Sequence, residues 1–190
     1  MKKNLFHLIC GGALLFWVSG CGGSSDSTSV DAAAKHNEEL LESTGKDEAA
    51  GWFVAEAASH NMLSAELGRL ASSKAVNPGL KQFGQLLLDH HTQTNAQLKQ
   101  IADLKNLITP TKLGNDHQDL YNDILSKTGA GFDQAYLEAV VENHEEIIKK
   151  YEEMANEGKD PELKSYAAKA LPTLRAHVEQ AEQLESQVQK

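Results

Sequence analysis

Four long stretches of this 190-residue chain repeat apolar residues at the three- and four-residue spacing that gathers them on one side of a helix. No stretch shows the alternating, β-branched pattern of strands, so the expected class is all-α. Asn77-Pro78 and Asp160-Pro161 each offer an N-cap side chain followed by proline at the first helical position. Gly158 offers a stop, because glycine tolerates the left-handed conformation that ends many helices. These signals predict helices over about 48–75 (A), 78–106 (B), 131–157 (C) and 161–188 (D).

Four striped helices joined as two hairpins by short A–B and C–D turns predict an antiparallel four-helix bundle. The B–C connection is long, with Pro110, Gly114 and Gly129, and Leu120, Ile124 and Leu125 predict a short extra helix within it. Pro172 falls inside D, where it removes a backbone hydrogen bond and bends the helix. The stripe of Leu163, Ala167, Leu171, Leu174, Val178 and Ala181 runs through it, which favours one bent helix over two short ones.

The N-terminal region follows other rules. Lys2 and Lys3 precede an apolar run from Leu5 to Val18, shorter than the roughly 20 residues a membrane-crossing helix needs. With the small residues that follow, positions 1–20 read as a signal peptide. Val18-Ser19-Gly20-Cys21 resembles the bacterial lipobox, which makes Cys21 the expected site of lipidation. Several acyl chains, at about 0.8 kcal/mol per buried CH₂, give a stable membrane anchor. Residues 21–46, opening with a Gly/Ser tract, read as a flexible tether with at most one loose helical turn near Glu39 to Glu42. The folded domain is expected over 47–190, and Gly22 after Cys21 resembles the sorting pattern for an outer membrane, facing the periplasm.

Composition then narrows the chemistry. Cys10 leaves with the signal and Cys21 is acylated, so the exported domain has no thiol for a disulfide, a metal or nucleophilic attack. Without the two signal lysines, 16 basic residues face 27 acidic ones, a balance that repels nucleic acid and anionic headgroups. No Cys-x-x-Cys-His, Gly-rich phosphate loop or Gly-x-Ser-x-Gly elbow occurs, so nothing signals haem c, a nucleotide or a hydrolase, and no residue is marked as catalytic.

The histidines carry the remaining signal. On helical wheels, His60 (A), His90 and His91 (B), His144 (C) and His177 (D) fall near the centres of the apolar stripes, and Glu56 shares His60's face. Counted from the hairpin turns at 1.5 Å per residue, His60, His91, His144 and His177 lie about 21 to 26 Å along, near the midplane. Four imidazoles at one level, with Glu56 and Glu66 nearby, suit a transition metal such as zinc, copper or iron. The alternatives are a hydrogen-bonded polar layer in a structural or protein-interaction module of the envelope, and a pH-responsive core. A di-iron carboxylate centre is disfavoured, because Ala57, Leu88, Val141 and Leu174 stand where Glu-x-x-His pairs need glutamate.

Several stretches together resemble a bacterial exported family of unknown function with a ferritin-like bundle, domain of unknown function 4142. They are Phe53-Val54, Glu66-Leu67-Gly68, Asn77-Pro78, His91-Thr92 with Asn95, Phe132-Asp133 with Tyr136, His144, and Leu171-Pro172 with Leu174 and His177. The resemblance implies a ferritin-like fold and an envelope location, with no established activity or cofactor. Glu66, His91, His144 and His177 match the family's pattern in residue type and form the core candidate set. His60 replaces a small residue and His90 an acidic one, so these two, with Glu56, are additional candidates.

Overall fold

The computed structural model describes residues 29–188, which form six α-helices and no strand. They are α1 (Val30–Ser43), α2 (Ala49–Lys74), α3 (Pro78–Leu104), α4 (Asn115–Ser126), α5 (Gly129–Glu157) and α6 (Pro161–Val188). The four predicted long helices are α2, α3, α5 and α6, and the predicted short helix of the connection is α4. Helix α6 is continuous through Pro172.

The predicted caps form. Asn77 Oδ1 accepts the Gly79 N–H at 2.7 Å, and Asp160 Oδ1 accepts those of Glu162 and Leu163 at 3.1 and 3.0 Å. A buried carboxylate adds to the first: Asp133 accepts the N–H groups of Val76 and Asn77 at 2.9 and 2.8 Å, tying α5 to the α2–α3 turn. Gly158 ends α5 for a reason other than the expected left-handed conformation. Its φ is −54°, open to any residue, but a Cβ there would strike the Met154 sulfur and lie 2.6 Å from the Met154 carbonyl oxygen. Left-handed residues stand instead at Asn106, φ 59°, just beyond α3, and at Gly45 and Gly129, φ 65° and 60°, beyond α1 and at the start of α5.

The expected tether is corrected over residues 30–43. These form α1, capped by Ser29 Oγ, which accepts the Ala32 N–H at 3.2 Å. Ala33, Ala34, Asn37 and Leu41 make its buried face, and Gly51 of α2 permits the approach, since a Cβ there would lie 2.9 Å from the Glu38 nitrogen. The Asn37 amide donates to the Ile108 carbonyl at 2.9 Å and accepts the Ile108 N–H at 2.8 Å, fastening α1 to the α3–α4 connection. The signal peptide, Cys21 and the tether's first residues lie outside the described residues. Among those described, no helix is long and apolar enough to cross a membrane.

Helices α2 and α3 pack as one hairpin and α5 and α6 as the other, with α2 against α5 and α3 against α6 closing the bundle and α1 and α4 outside α2. Two apolar clusters fill it. One, toward the α5–α6 turn, includes Phe53, Leu98, Ile147, Tyr151, Leu163 and Tyr166; the other, toward the α2–α3 turn, includes Leu67, Leu80, Phe83, Phe132, Tyr136 and Leu184. The order of these residues makes α2 and α6 run one way and α3 and α5 the other. The α3–α5 connection therefore crosses the length of the bundle. On every long helix the boundary between the clusters is occupied by a histidine.

Candidate metal centre

Helix α2 passes from one cluster to the other between Ala58 and Leu63, α3 between Leu87 and Leu98, α5 between Val140 and Ile147, and α6 between Leu174 and Ala181. His60, His91, His144 and His177 stand in these four intervals, each at most 2% exposed. Ring centroids are 5.1 Å apart for His91–His144, 5.2 Å for His144–His177 and 5.3 Å for His60–His144. Helical periodicity puts each ring on its helix's inner face, and the common depth brings the four together.

His144 is the centre. A carbonyl only accepts, so the 2.9 Å contact of His144 Nδ1 with the Val140 oxygen places a proton on Nδ1 and leaves Nε2 of the neutral ring as a lone pair. That nitrogen is 3.1 Å from His91 Nε2 and 3.2 Å from His177 Nδ1. His60, His91 and His144 each bring a ring nitrogen within 4.8 Å of the other two. A tetrahedral ion with metal–nitrogen bonds of about 2.0 Å separates its ligand atoms by about 3.3 Å. The nitrogens are thus spaced much as a coordination sphere requires, with His60 slightly withdrawn.

Hydrogen bonds hold the rings from outside. His60 Nδ1 lies 3.1 Å from Asn143 Oδ1, and its Nε2 is 3.4 Å from Ser64 Oγ. His91 Nδ1 is 2.9 Å from Asn61 Oδ1; the Asn61 amide nitrogen donates to Tyr166 OH at 3.2 Å, itself 3.0 Å from Tyr151 OH. With the Asn61 oxygen toward His91, His91 carries its proton on Nδ1. Its Nε2 is then a second lone pair directed at the first. Two such pairs in contact repel unless a proton or a cation lies between them.

Burial keeps these imidazoles neutral. Desolvation lowers His144 to about 4 and His177 to about 3, and holds His60 and His91 well below the usual histidine value. Neighbouring imidazoles reinforce the shift for His60, His91 and His177 by mutual repulsion of their charged forms. Neutral imidazole is the form able to ligate a metal, and it is the form these rings hold at neutral pH.

The remaining candidates are distributed differently. Half-buried His90 stacks on His177 with centroids 5.1 Å apart, and its Nδ1 is 2.8 Å from His177 Nε2. Glu66 lies on the side of α2, its carboxylate 3.4 Å from the Arg69 guanidinium, because six residues carry it about 120° around the helix from His60. Glu56 meets Lys150 at 3.4 Å in a hollow beside α4 and α5. The core set therefore keeps His91, His144 and His177, gains His60 and loses Glu66. Neither candidate carboxylate joins the imidazole layer.

His117, Asn61, Asn143 and Ser59, none of them a candidate from sequence, also contact the layer or its neighbours. His117, on α4, has its Nδ1 2.7 Å from Ser59 Oγ, and its ring is 6.4 Å from that of His60. It shares a helical face with Leu120 and Ile124, a signal present in the sequence. Asn61 and Asn143 adjoin predicted histidines, but adjacency in sequence does not show that an amide turns inward.

Fold and site define an all-helical bundle with a central layer of nitrogen donors. The chain belongs to the family described as domain of unknown function DUF4142, whose model matches residues 32–184, α1 nearly whole included. No curated protein sequence matches it. Its fold is similar to that of CopM in the Cu(II)-bound form, with a TM-score of 0.61 and 14% identity over 71% of this chain and 94% of that one.

Proposed function

We propose that this protein is a lipid-anchored protein of the cell envelope whose buried histidine layer binds a transition-metal ion, copper in particular. The observation that carries the reading is the convergence of imidazole nitrogens on His144 Nε2, at 3.1 and 3.2 Å. His60, His91 and His144, whose ring nitrogens lie within 4.8 Å of one another, would hold the ion, with His177 beside them, its Nδ1 3.2 Å from His144 Nε2. The signal peptide and lipobox supply the address, through Cys21 and onto an outer membrane facing the periplasm. The crossing α3–α5 connection supports a ferritin-like arrangement of the bundle.

Copper is favoured by the donors. A layer of neutral imidazoles without carboxylate suits the metals of greatest nitrogen affinity, and copper stands at the top of that order. A layer lacking carboxylates offers iron none of the bridging oxygens that di-iron chemistry uses. The likeness of fold to a protein seen in its Cu(II)-bound form points the same way. Bound copper would be sequestered or sensed, since no group of the layer is placed as a nucleophile or acid–base pair.

Purified full-length chain, dialysed against copper, zinc or ferrous salts, should retain close to one copper per chain, and its melting temperature should rise because the ion binds only the folded state. A His91→Ala, His144→Ala double variant should retain almost none. Wild-type protein that takes up no metal and keeps its melting temperature through chelation would refute the reading. A competing interpretation, a hydrogen-bonded structural layer, draws on the contacts of Asn61, Asn143 and Val140 with the rings, and that result would establish it. Retention of zinc in preference to copper would overturn only the choice of metal.

A further inference from the structure

Three hollows approach the imidazole layer. One, between α3 and α6, has a volume of about 750 Å³ and is lined by His90, His91, Thr94, Gln97, Thr173 and His177 among others. A second, over α2 and α3, reaches His91 past Arg69, Lys99 and Lys112 against a single acidic residue, Glu66, and so repels cations. The third, beside α4, is acidic, with Glu56, Asp116, Glu142 and Glu146. It ends at His117, whose only hydrogen-bond partner among the described residues is Ser59. No nitrogen-to-nitrogen contact leads on from there.

The α3–α6 groove differs. From its wall, ring nitrogens follow one another without a gap: His90 Nδ1 to His177 Nε2 at 2.8 Å, His177 Nδ1 to His144 Nε2 at 3.2 Å, and His144 Nε2 to His91 Nε2 at 3.1 Å. His177 uses its two nitrogens in opposite directions, one outward to His90 and one inward to His144. His90 is half-buried, and its Nε2 has no hydrogen-bond partner among the described residues.

We propose that His90 and His177 form a second, groove-side position for the metal ion, through which it reaches the buried layer. The proposal rests on the metal-binding reading above and adds a loading route to it. Stripping an ion of its water in an apolar core is costly unless each lost water is replaced by another ligand. A continuous series of imidazoles provides that replacement, so the ion exchanges one nitrogen for the next and is never bare. The hydrogen bond between His90 and His177 holds one proton. When the ion takes its place, that proton passes through groove water to His90 Nε2, and both rings stay neutral.

The route also accounts for two features the buried site does not need. Sequence neighbours His90 and His91 both line the groove, but His90 is half-buried at its wall while His91 is buried and turned to the layer. The stacked pairing of His90 with His177 leaves His177 between the two positions, able to belong to either.

The test is a rapid-mixing experiment with the full-length chain and copper(II) sulfate, following quenching of intrinsic fluorescence, with copper per chain measured at equilibrium. His90→Ala and His90→Gln should reach the wild-type copper content at a rate about tenfold lower, the effect of a modest added barrier. His117→Ala, on the opposite side, should load at the wild-type rate. Circular dichroism checks folding, and should His90→Ala fail it, His90→Gln, which preserves a hydrogen bond to His177, carries the test. Loading of the His90 variants at the wild-type rate overturns the route while leaving the metal site standing. Loss of their equilibrium copper also overturns it, by making His90 a permanent ligand. A wild-type chain that binds no copper removes the metal reading itself, and the route with it.

Discussion

At the scale of single residues, His144 links packing to chemistry. Its Nδ1 proton is committed to a carbonyl of its own helix and its lone pair to two other imidazoles. Leucine has a similar volume, and the Val140 carbonyl lies within α5. His144→Leu should therefore alter metal-free stability at pH 7 by about 1 kcal/mol or less, whereas His144→Ala should cost about 2–4 kcal/mol through the cavity it leaves. Both should abolish copper uptake, and urea denaturation beside metal analysis reads both effects.

Acid should expose the same residues. His60, His91, His144 and His177 titrate below the usual 6.5 when folded, His144 near 4 and His177 near 3, because burial opposes their charged forms. As pH falls, the unfolded chain therefore binds protons before the folded one does. The stability they allow is complete above about pH 6.5 and declines toward pH 4, by up to about 1.4 kcal/mol per pH unit for each histidine. Urea midpoints of metal-free protein at pH 7.5, 6 and 5 should fall in that order. An unchanged midpoint would contradict the burial of the layer, and bound copper should displace the decline to lower pH.

At the scale of elements, the α2–α3 hairpin closes to backbone contact where Gly68 meets Gly84. A Cβ on Gly68 would lie 2.5 Å from the Gly84 oxygen and 2.8 Å from the Leu88 nitrogen, and one on Gly84 would lie 2.7 Å from the Gly68 oxygen. These are backbone atoms that cannot turn aside. Gly68→Ala should force the helices apart and cost about 1–3 kcal/mol, while Gly131→Ala, in open space on α5, should stabilise by up to about 1 kcal/mol. Denaturation midpoints shifted in opposite directions would verify the contrast. Helix α1 shows the limit of reading such contacts from sequence. Its buried face is Ala33, Ala34, Asn37 and Leu41, too small and too polar to stand out as a stripe, and it is stable only where Gly51 and Ala55 of α2 receive it.

At the scale of the molecule, the histidine layer divides the core into two apolar halves, and α1 packs chiefly on α2, with Leu40 and Leu41 reaching the half toward the α5–α6 turn. Site and shell are thus separable. Ala34→Asp, which places a charge in a fully buried position, should lower the melting temperature by about 5 °C or more yet leave copper per chain unchanged. Loss of copper with it would mean that α1 supports the layer.

The four long helices, their boundaries, the N-caps at Asn77 and Asp160 and the four inward histidines were legible in the sequence because they are local. Periodicity fixes a face within a helix, proline and N-cap residues fix its start, and counting residues from a turn fixes depth. Partners between helices were not legible. Glu66 looked available until rotation about α2 carried it to Arg69; Asn61, Asn143 and His117 gained their roles from neighbours 30 or more residues away. The sequence by itself determined an all-α chain with an imidazole on each long helix at a common depth. Only the tertiary structure decided which nitrogens meet, that carboxylates stay out, and that α1 belongs to the fold, because those outcomes depend on how helices rotate and approach in space, which no single helix encodes.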